Sequence, residues 1–462
     1  MKIIRGIKNG AVLQRAKDGR CDIVFEAKAR GDIACDCGRI ETLGEGRFRL
    51  SGIPSGGPYS LTLSDRDGAE SFAEIYVGDV WLLAGQSNME GAGLRRDVDI
   101  EYDARPERSV RAYYLDDRWD AARSQLHQQW LNTDEGVREK YLGINTRFLE
   151  IYGSFDHEAA SGVGPGIYIA RRMYELTGVP QGVIPCAMGA TGMADWDPDR
   201  TSPDSLYRSM IRRAHDCGGN IRGVFWYQGE GETNPEGIRN FYGNMTRFVG
   251  AIRRDLGDIP FVQAQIGHTT LPQCSNADAE EGWQQIRELQ RLMPSVIPNT
   301  STVSTANAFL QDLIHIDAQS HEELGRTMAE EMRRLVCGKG AALPELVSAS
   351  VEAHPVKKAF SRIRLNYANV VGGLRSAGRP HGFSITLDDE RPYNYPYRYI
   401  DTLLLEGDSV VICVEDSYVP AEKVSVWYGA GFSCVCNITD GAGRSLPAFG
   451  PVRLSDLTGK SV

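Results

Sequence analysis

The sequence lacks the marks of a membrane protein, of a nucleotide-binding protein and of a metalloenzyme. No window approaches the ~18 apolar residues that a membrane-spanning helix needs, and the first ten residues contain no apolar segment of a secretory signal. The chain has no G-x-G-x-x-G fingerprint, no phosphate-binding glycine loop and no H-E-x-x-H pair. We therefore expect a cytoplasmic protein with no membrane partner, no cofactor and no metal, the secreted mature form of a longer precursor being the alternative.

Disulfide patterns and clusters of positive charge are also missing. The ten cysteines are scattered, and the close pairs Cys35/Cys37 and Cys434/Cys436 have one intervening residue, whereas zinc hooks have two or more. We therefore expect reduced thiols. Acidic residues outnumber basic ones by 61 to 51, which gives a formal net charge of -10. Because neutralising phosphates requires clustered Lys and Arg, this balance argues against a nucleic-acid partner.

The length and the pattern of apolar runs predict three regions. At 462 residues the chain is too long for a single core. Short runs separated by turn residues predict an N-terminal antiparallel β-domain at 1–78 and a C-terminal β-domain at 341–462. At 79–340 strands alternate with helices, which predicts an α/β fold with a doubly wound parallel sheet. Its core strands are expected at Val80–Ala84, Gly182–Ala187, Gly223–Tyr227, Phe261–Ile266 and Ser301–Ser304.

Ser87 is the candidate nucleophile. The run Val80–Ala84 is typical of a buried parallel strand, and Gly85 ends it two residues before the serine. Reactive groups in such sheets lie at the carboxyl ends of the strands. Because Ser/Asn-containing turns are also common without catalysis, the hypothesis requires a base and an acid elsewhere in the chain.

Among the eight histidines, His315 is the strongest candidate for the base. Asp312 lies three residues before it, on a loop between a predicted strand and a predicted helix, so the carboxylate and the imidazole can meet. His321 competes as the base, and Asp317 competes as the acid that orients either ring. Both competitors lie near the start of the predicted helix, where aspartate is favoured as a capping residue.

Donors for an oxyanion follow two further strands. Gly189 lies among small residues that leave its N–H accessible, and the side-chain amide of Gln228 follows another apolar run. Loss of one such donor typically costs about 3 kcal/mol of transition-state stabilisation. Because Ser87, Gly189, Gln228 and the His315 loop all follow strands, the topology predicts that they meet at one rim of the sheet.

Four blocks of the sequence resemble the SGNH/GDSL hydrolases, and specifically the sialate O-acetylesterase group of carbohydrate esterases. These blocks are Gly85–Met89, Gly189–Thr191 with Trp196, Trp226–Glu230, and Asp312–His315. The resemblance continues into the N-terminal region and covers nearly the whole chain. The chain departs from the group in having Ile316 in place of the proline usual after the histidine, and Ala190 in place of a second glycine.

The resemblance implies an SGNH-type doubly wound sheet flanked by the two β-domains, and a role for each matched residue. Ser87 would be the nucleophile, His315 the general base and Asp312 its orienting acid. The oxyanion donors would be the N–H groups of Ser87 and Gly189 and the amide of Gln228. The candidate substrate-binding residues are Glu230, Trp196, Gln86 and Asn88.

The function implied by the resemblance is that of a serine esterase that removes O-acetyl groups from a carbohydrate. The alternatives are an acetylxylan or acetylmannan oligosaccharide esterase and, from another class, a non-catalytic carbohydrate-binding protein on the same scaffold. A homo-oligomer is compatible with the sequence. The charged, aromatic segment 91–162 is a candidate insertion over the active site, in which Tyr113 and Trp119 would either stack on sugars or pack in the core.

Overall fold

The computed structural model describes residues 1–94, 97–152, 162–271, 277–393, 397–416, 421–433 and 435–458, which form a mixed α/β structure with additional antiparallel sheets. The N-terminal strands are β1 (Lys2–Arg5), β2 (Val12–Gln14), β3 (Arg20–Lys28), β4 (Ala34–Cys35), β5 (Arg39–Gly44), β6 (Arg47–Pro54), β7 (Gly56–Asp65) and β8 (Gly68–Gly85). Strands β1, β3, β6 and β5 form an antiparallel sheet in that order. Burial alternates along β3, as expected for a strand with one face on a core.

Strand β8 crosses the predicted boundary between residues 78 and 79. Its first part has exposed positions, whereas every residue from Ile75 to Gly85 is buried. Residues 68–77 pair with β7 and residues 76–78 pair with β2, whereas residues 79–85 are buried on both faces, as in the centre of a parallel sheet. The N-terminal strands and the α/β region therefore share one hydrophobic core and one strand, with no linker between them.

The α/β region contains the remaining strands of the central sheet and most of the helices. Its elements are α1 (Ser87–Glu90), α2 (Asp97–Ala104), β9 (Val110–Tyr113), β10 (Trp119–Ala121), α3 (Glu135–Tyr152), α4 (Pro165–Thr177), β11 (Gln181–Pro185), α5 (Leu206–Asp216), β12 (Gly223–Tyr227), α6 (Pro235–Leu256), β13 (Phe261–Ala264), α7 (Ala277–Val296), β14 (Thr300–Val303) and α8 (Ala318–Cys337). None of the helices in the described ranges combines the length and the apolar character required to cross a bilayer.

The order of the central strands creates a crevice at the end of β8. The sheet runs β10-β9-β11-β8-β12-β13-β14, and all neighbours from β9 to β14 are parallel. Strands β11-β8-β12-β13-β14 follow the 2-1-3-4-5 order of doubly wound sheets, whose ligand crevice lies between the first and third strands. Here these are β8 and β12. The sheet is mixed and not wholly parallel, because β10 and β7 run antiparallel to their neighbours.

Part of the segment 91–162 belongs to the sheet itself. Strand β9 pairs with β11, and β10 extends the edge beyond it. Tyr113 and Trp119 on these strands are buried and their rings pack 5.5 Å apart, so they have the packing role and not the sugar-stacking one. Residues 153–161 of the candidate insertion lie outside the described residues.

The C-terminal region has its own hydrophobic core. Its elements are β15 (Glu345–Ala353), β16 (Phe360–Ala368), β17 (Leu374–Ser376), β18 (Phe383–Leu387), β19 (Thr402–Glu406), β20 (Ser409–Glu415), β21 (Val424–Tyr428), β22 (Ile438–Asp440), β23 (Phe449–Arg453) and α9 (Leu454–Leu457). They form antiparallel sheets of four, three and two strands. At the contact with the α/β region, the buried amide of Gln265 donates to the Ala448 carbonyl (2.8 Å) and accepts from the Ala448 N–H (2.9 Å).

The buried ion pair between Arg444 and Asp440 should be essential for the stability of the C-terminal region. Their side chains are 6% and 0% exposed, and Nη2 lies 2.6 Å from Oδ2. Arg444→Met would leave the Asp440 carboxylate buried without its cation, which should lower the free energy of unfolding by about 3–5 kcal/mol. Urea denaturation measures this change.

The matched control is Lys423→Met. Lys423 pairs with Asp388 at 3.5 Å, but both side chains are more than half exposed, at 54% and 61%. Exposed pairs contribute little, so the expected change is below ~1 kcal/mol. Equal effects of the two substitutions would contradict the role given to Arg444.

Candidate active site

The turn that carries Ser87 requires glycine at position 85. Gly85 has φ +136°, and a β-carbon built on it would lie 2.1 Å from the Tyr227 carbonyl oxygen. The next residue, Gln86, donates its N–H to that same oxygen at 2.8 Å. The close approach places the end of β8 directly beside the end of β12. Ser87 follows as the first residue of α1 and is half-buried.

Asn88 joins the serine turn to two distant segments. Its side-chain N–H donates to Glu230 Oε1 at 2.9 Å, and its side-chain oxygen accepts the N–H of Ile316 at 3.1 Å. Ile316 directly follows His315. The Ser87 turn and the His315 loop therefore lie side by side, as the sheet topology predicted.

Gln86 fixes a further segment of the same site. Its side-chain oxygen accepts the N–H groups of Gly229 and Gly231 at 3.5 and 3.4 Å. Gln86 and Asn88 are only 5% and 1% exposed. Their side chains thus bind protein segments, which is a positioning role and not the substrate contact predicted from the sequence.

Asp312 holds His315 in a defined orientation. Its Oδ2 lies 2.7 Å from His315 Nδ1, and its Oδ1 accepts the N–H groups of Ile314 and His315 at 2.8 and 2.7 Å. Partial burial opposes ionisation of Asp312, but these hydrogen bonds outweigh it and lower the pKa of the carboxyl group to about 2. An ionised carboxylate on Nδ1 leaves Nε2 of the half-buried ring as the nitrogen available for proton transfer.

His321 and Asp317, the alternative base and the alternative acid, lie in different environments. His321 is fully buried, and this burial lowers the pKa of its imidazole to about 3. Asp317 is the N-cap of α8 and accepts the Ser320 N–H at 2.7 Å, the helix-start role that its position suggested. Asp312 and His315 are thus in direct contact, and neither side chain is fully buried.

Of the predicted oxyanion donors, Gly189 lies next to the serine. A β-carbon built on Gly189 would be 3.4 Å from the Ser87 Cβ. Its N–H donates to Glu90, a residue without a predicted role, whose Oε2 accepts it at 2.5 Å. The available signal was an acidic residue three positions after the serine, at the end of the otherwise uncharged run 80–89.

Gln228 is buried in the neighbouring loop. Its side-chain N–H donates to Glu232 Oε1 at 3.2 Å, and the same oxygen accepts the Met193 N–H at 2.8 Å. The amide therefore faces the loop that follows Gly189. In the described part of the chain it forms no hydrogen bond to Ser87 or Gly189, so its oxyanion role stays a prediction.

Glu230 and Trp196 are both buried. Burial raises the pKa of the Glu230 carboxyl group, against the hydrogen bond from Asn88 that lowers it. Trp196 is 0% exposed, and its ring packs at 5.2 Å from that of Trp226 and at 6.1 Å from that of Phe248. This position assigns Trp196 to the core behind the site, and not to the substrate contact predicted from the sequence.

A cluster of potential metal ligands lies in the N-terminal strands, away from Ser87. Among the described residues, the donor atoms of Cys35, Asp36 and Cys37 lie within 4.8 Å of one another, at β4 and the residues after it. They belong to the N-terminal strands and not to the site around Ser87. The groups that surround Ser87 are its own hydroxyl, the loop of the His315 imidazole, carboxyl groups and backbone N–H groups.

Comparison with known proteins shows the family of the chain. Residues 77–334 match the family model described as carbohydrate esterase, sialic acid-specific acetylesterase. A probable carbohydrate esterase of Arabidopsis thaliana is 26% identical over 284 residues, covering 57% of this chain and 94% of that protein. Human sialate O-acetylesterase is 24% identical over 304 residues, covering 58% of this chain and 55% of the human protein, so the match spans about half of that relative.

A solved structure covers nearly the whole chain. The crystal structure of a carbohydrate acetylesterase from Xanthomonas citri superposes with a TM-score of 0.71 and 21% sequence identity, over 97% of this chain and 99% of that chain. At this level of identity the match establishes a shared fold, including the flanking β-regions.

Asn88→Ala should separate the serine turn from the histidine loop. It removes the acceptor for the Ile316 N–H and the donor to Glu230. Displacement of a reacting group by about 1 Å can cost roughly 100-fold in rate. We expect the labelling of Ser87 by a fluorophosphonate to slow by roughly 10- to 100-fold, measured by mass spectrometry over time.

The control for this experiment is Asn366→Ala, which removes a side-chain hydrogen bond to Ser348 on the C-terminal four-stranded sheet. Its labelling rate should equal that of the wild type. If Asn88→Ala also labels at the wild-type rate while remaining folded by circular dichroism, the positioning role of Asn88 is wrong.

Proposed function

This chain belongs to the sialic acid-specific acetylesterase family of carbohydrate esterases, and we propose that it removes O-acetyl groups from a carbohydrate through an acetyl-enzyme on Ser87. Two hydrogen bonds carry the proposal. The Asp312 carboxylate contacts the His315 ring at 2.7 Å. Asn88, next to Ser87, accepts the N–H of Ile316, which is next to His315. These contacts support a nucleophile, a base and an orienting acid on one rim of the sheet. The four motifs and the 2-1-3-4-5 strand order further support an SGNH-type site.

The first half of the reaction forms the acetyl-enzyme. His315 Nε2 takes the proton of the Ser87 hydroxyl as its oxygen attacks the acetyl carbonyl carbon. The ionised Asp312 stabilises the resulting imidazolium. The N–H groups of Ser87 and Gly189 and the amide of Gln228 receive the oxyanion, and the sugar oxygen leaves with the proton from His315.

The second half releases acetate. Water gives a proton to His315, attacks the acetyl group on Ser87, and the serine oxygen regains the proton as acetate departs. No step requires a metal or an organic cofactor. In this scheme Glu230 positions Asn88 by a hydrogen bond, and Gln86 positions the loop after β12. Both are therefore positioning residues.

The substrate class follows from the family, and the individual sugar is a further proposal. We infer an acetylated sialic acid as the first candidate, because the curated human relative is named for that substrate. Acetylated xylo- or manno-oligosaccharides are the second candidate. Acetate release from an acetylated sialic acid, an acetylated xylo-oligosaccharide and an acetylated manno-oligosaccharide ranks these candidates, and the highest kcat/KM identifies the sugar.

Ser87→Ala should abolish ester hydrolysis without unfolding the chain. Removing the hydroxyl prevents formation of the acetyl-enzyme, so we expect acetate release from p-nitrophenyl acetate to fall by at least about 1,000-fold. Wild-type activity in Ser87→Ala would remove the nucleophile assignment. Acetate release by the wild type that is no faster than the uncatalysed background would instead favour the non-catalytic carbohydrate-binding protein.

His315→Ala should be almost as inactive as Ser87→Ala, because members of such a unit act together and their losses do not add. His381→Ala is the matched control, since His381 lies on the C-terminal region, where its ring contacts the Val435 carbonyl. Full activity in His315→Ala together with an inactive but folded His321→Ala would transfer the base to His321.

A further inference from the structure

Glu90 binds the backbone group that the proposed reaction needs for its oxyanion. Its Oε2 accepts the Gly189 N–H at 2.5 Å, and Gly189 is adjacent to Ser87. Glu90 is the last residue of the short helix that Ser87 begins, so its backbone is fixed relative to the serine. Glu90 and the oxyanion of the substrate therefore compete for one hydrogen.

Among the residues that the structure describes, no cation balances a charge on the Glu90 carboxylate. The Tyr141 phenol faces it from α3, the His127 ring faces its backbone carbonyl, and the Gly189 N–H faces it from the loop after β11. Burial lowers the pKa of His127 to about 3 and raises that of Tyr141, so both neighbours are neutral near pH 7. In the described residues, the Gly189 N–H is the group that favours ionisation of Glu90.

These contacts make the charge of Glu90 decisive for the reaction. An ionised carboxylate would keep the Gly189 N–H in a strong charge-assisted hydrogen bond and would repel the negative charge that develops on the acetyl oxygen. A neutral carboxyl group can hold the same N–H more weakly in the resting enzyme and release it to the oxyanion.

Resting on the function proposed above, we propose that Glu90 is a positioning residue whose neutral form holds the Gly189 loop against Ser87 and yields its N–H to the oxyanion, whereas the ionised form blocks the oxyanion site. Desolvation by the surrounding protein supports this assignment, because it raises the pKa of Glu90 to about 8 despite the opposing hydrogen bond from Gly189. The neutral form then predominates at neutral pH.

The consequence is an alkaline limit to activity. His315 must be neutral to accept the proton of Ser87. Once the base is neutral, the activity of a Ser–His–Asp site with fixed oxyanion donors no longer depends on pH. Here Glu90 should ionise above about pH 8, so kcat/KM should fall at alkaline pH.

Glu90→Gln tests this inference. The glutamine oxygen can still accept the Gly189 N–H but stays neutral at every pH. We expect wild-type kcat/KM to fall roughly tenfold per pH unit above about pH 8, and the Glu90→Gln profile to remain flat there. The matched control is Glu139→Gln, an exposed residue of α3, whose profile should follow that of the wild type.

A second measurement does not depend on catalysis. Glu90 has an ordinary pKa of 4.5 and a raised pKa of about 8 in the folded chain. As pH rises between these values, the unfolded chain loses this proton while the folded chain keeps it, so the wild type loses stability relative to Glu90→Gln. The difference in Tm between Glu90→Gln and the wild type should therefore widen from about pH 4.5 to pH 8 and stay constant above that.

The two measurements separate the possible failures. Parallel pH profiles and a constant difference in Tm would overturn the inference about Glu90. Esterase activity absent from the wild type would overturn the proposed function, while the Tm series would still report the protonation of Glu90. A widening Tm difference with parallel activity profiles would show that Glu90 is neutral but does not act on the oxyanion, which also overturns the inference.

Discussion

The candidate active site depends on the hydrogen bonds of a single buried carboxamide, that of Asn88. It links the serine turn to Glu230, 142 residues away, and to Ile316, 228 residues away. A buried amide that lacks partners costs about 1–3 kcal/mol, so the folded chain is more stable when both loops take up their positions beside it. The hydrogen bond from the Ile316 N–H to Asn88 therefore also brings His315 to the serine turn.

The sheet supplies the positions that Asn88 then connects. Apolar runs without alternation marked the central strands, and the predicted strand Gly223–Tyr227 coincides with β12. The convergence of the loops followed from parallel strands ending at one edge. The pairing of Asp312 with His315 was also predictable, because three residues on one short loop cannot separate the two side chains far. These features depend on local pattern and on topology, which a sequence displays directly.

Other features depend on partners that a sequence does not display. Gln86 and Asn88 are polar residues beside a candidate nucleophile, and polarity alone suits contact with substrate as well as contact with protein. Their partners lie on loops more than 140 residues away. The continuity of β8 could not be predicted either. Its residues change from partly exposed to fully buried along one strand, and in a sequence this change resembles a domain boundary. Trp196 behaves similarly, since its aromatic neighbours come from β12 and α6.

The electrostatics of the site explain how one short region can contain several carboxyl groups and keep distinct roles for them. Burial raises the pKa of Glu90 and Glu230, whereas the hydrogen bonds of the His315 loop lower that of Asp312 to about 2. Environments that drive carboxyl pKa values apart separate charged from neutral functions. Negative charge is then concentrated on Asp312, where an imidazolium would form, and is disfavoured on Glu90 beside Ser87, where an oxyanion would form. The fold thus distributes charge by burial and hydrogen bonding in the pattern that acyl transfer to a serine requires.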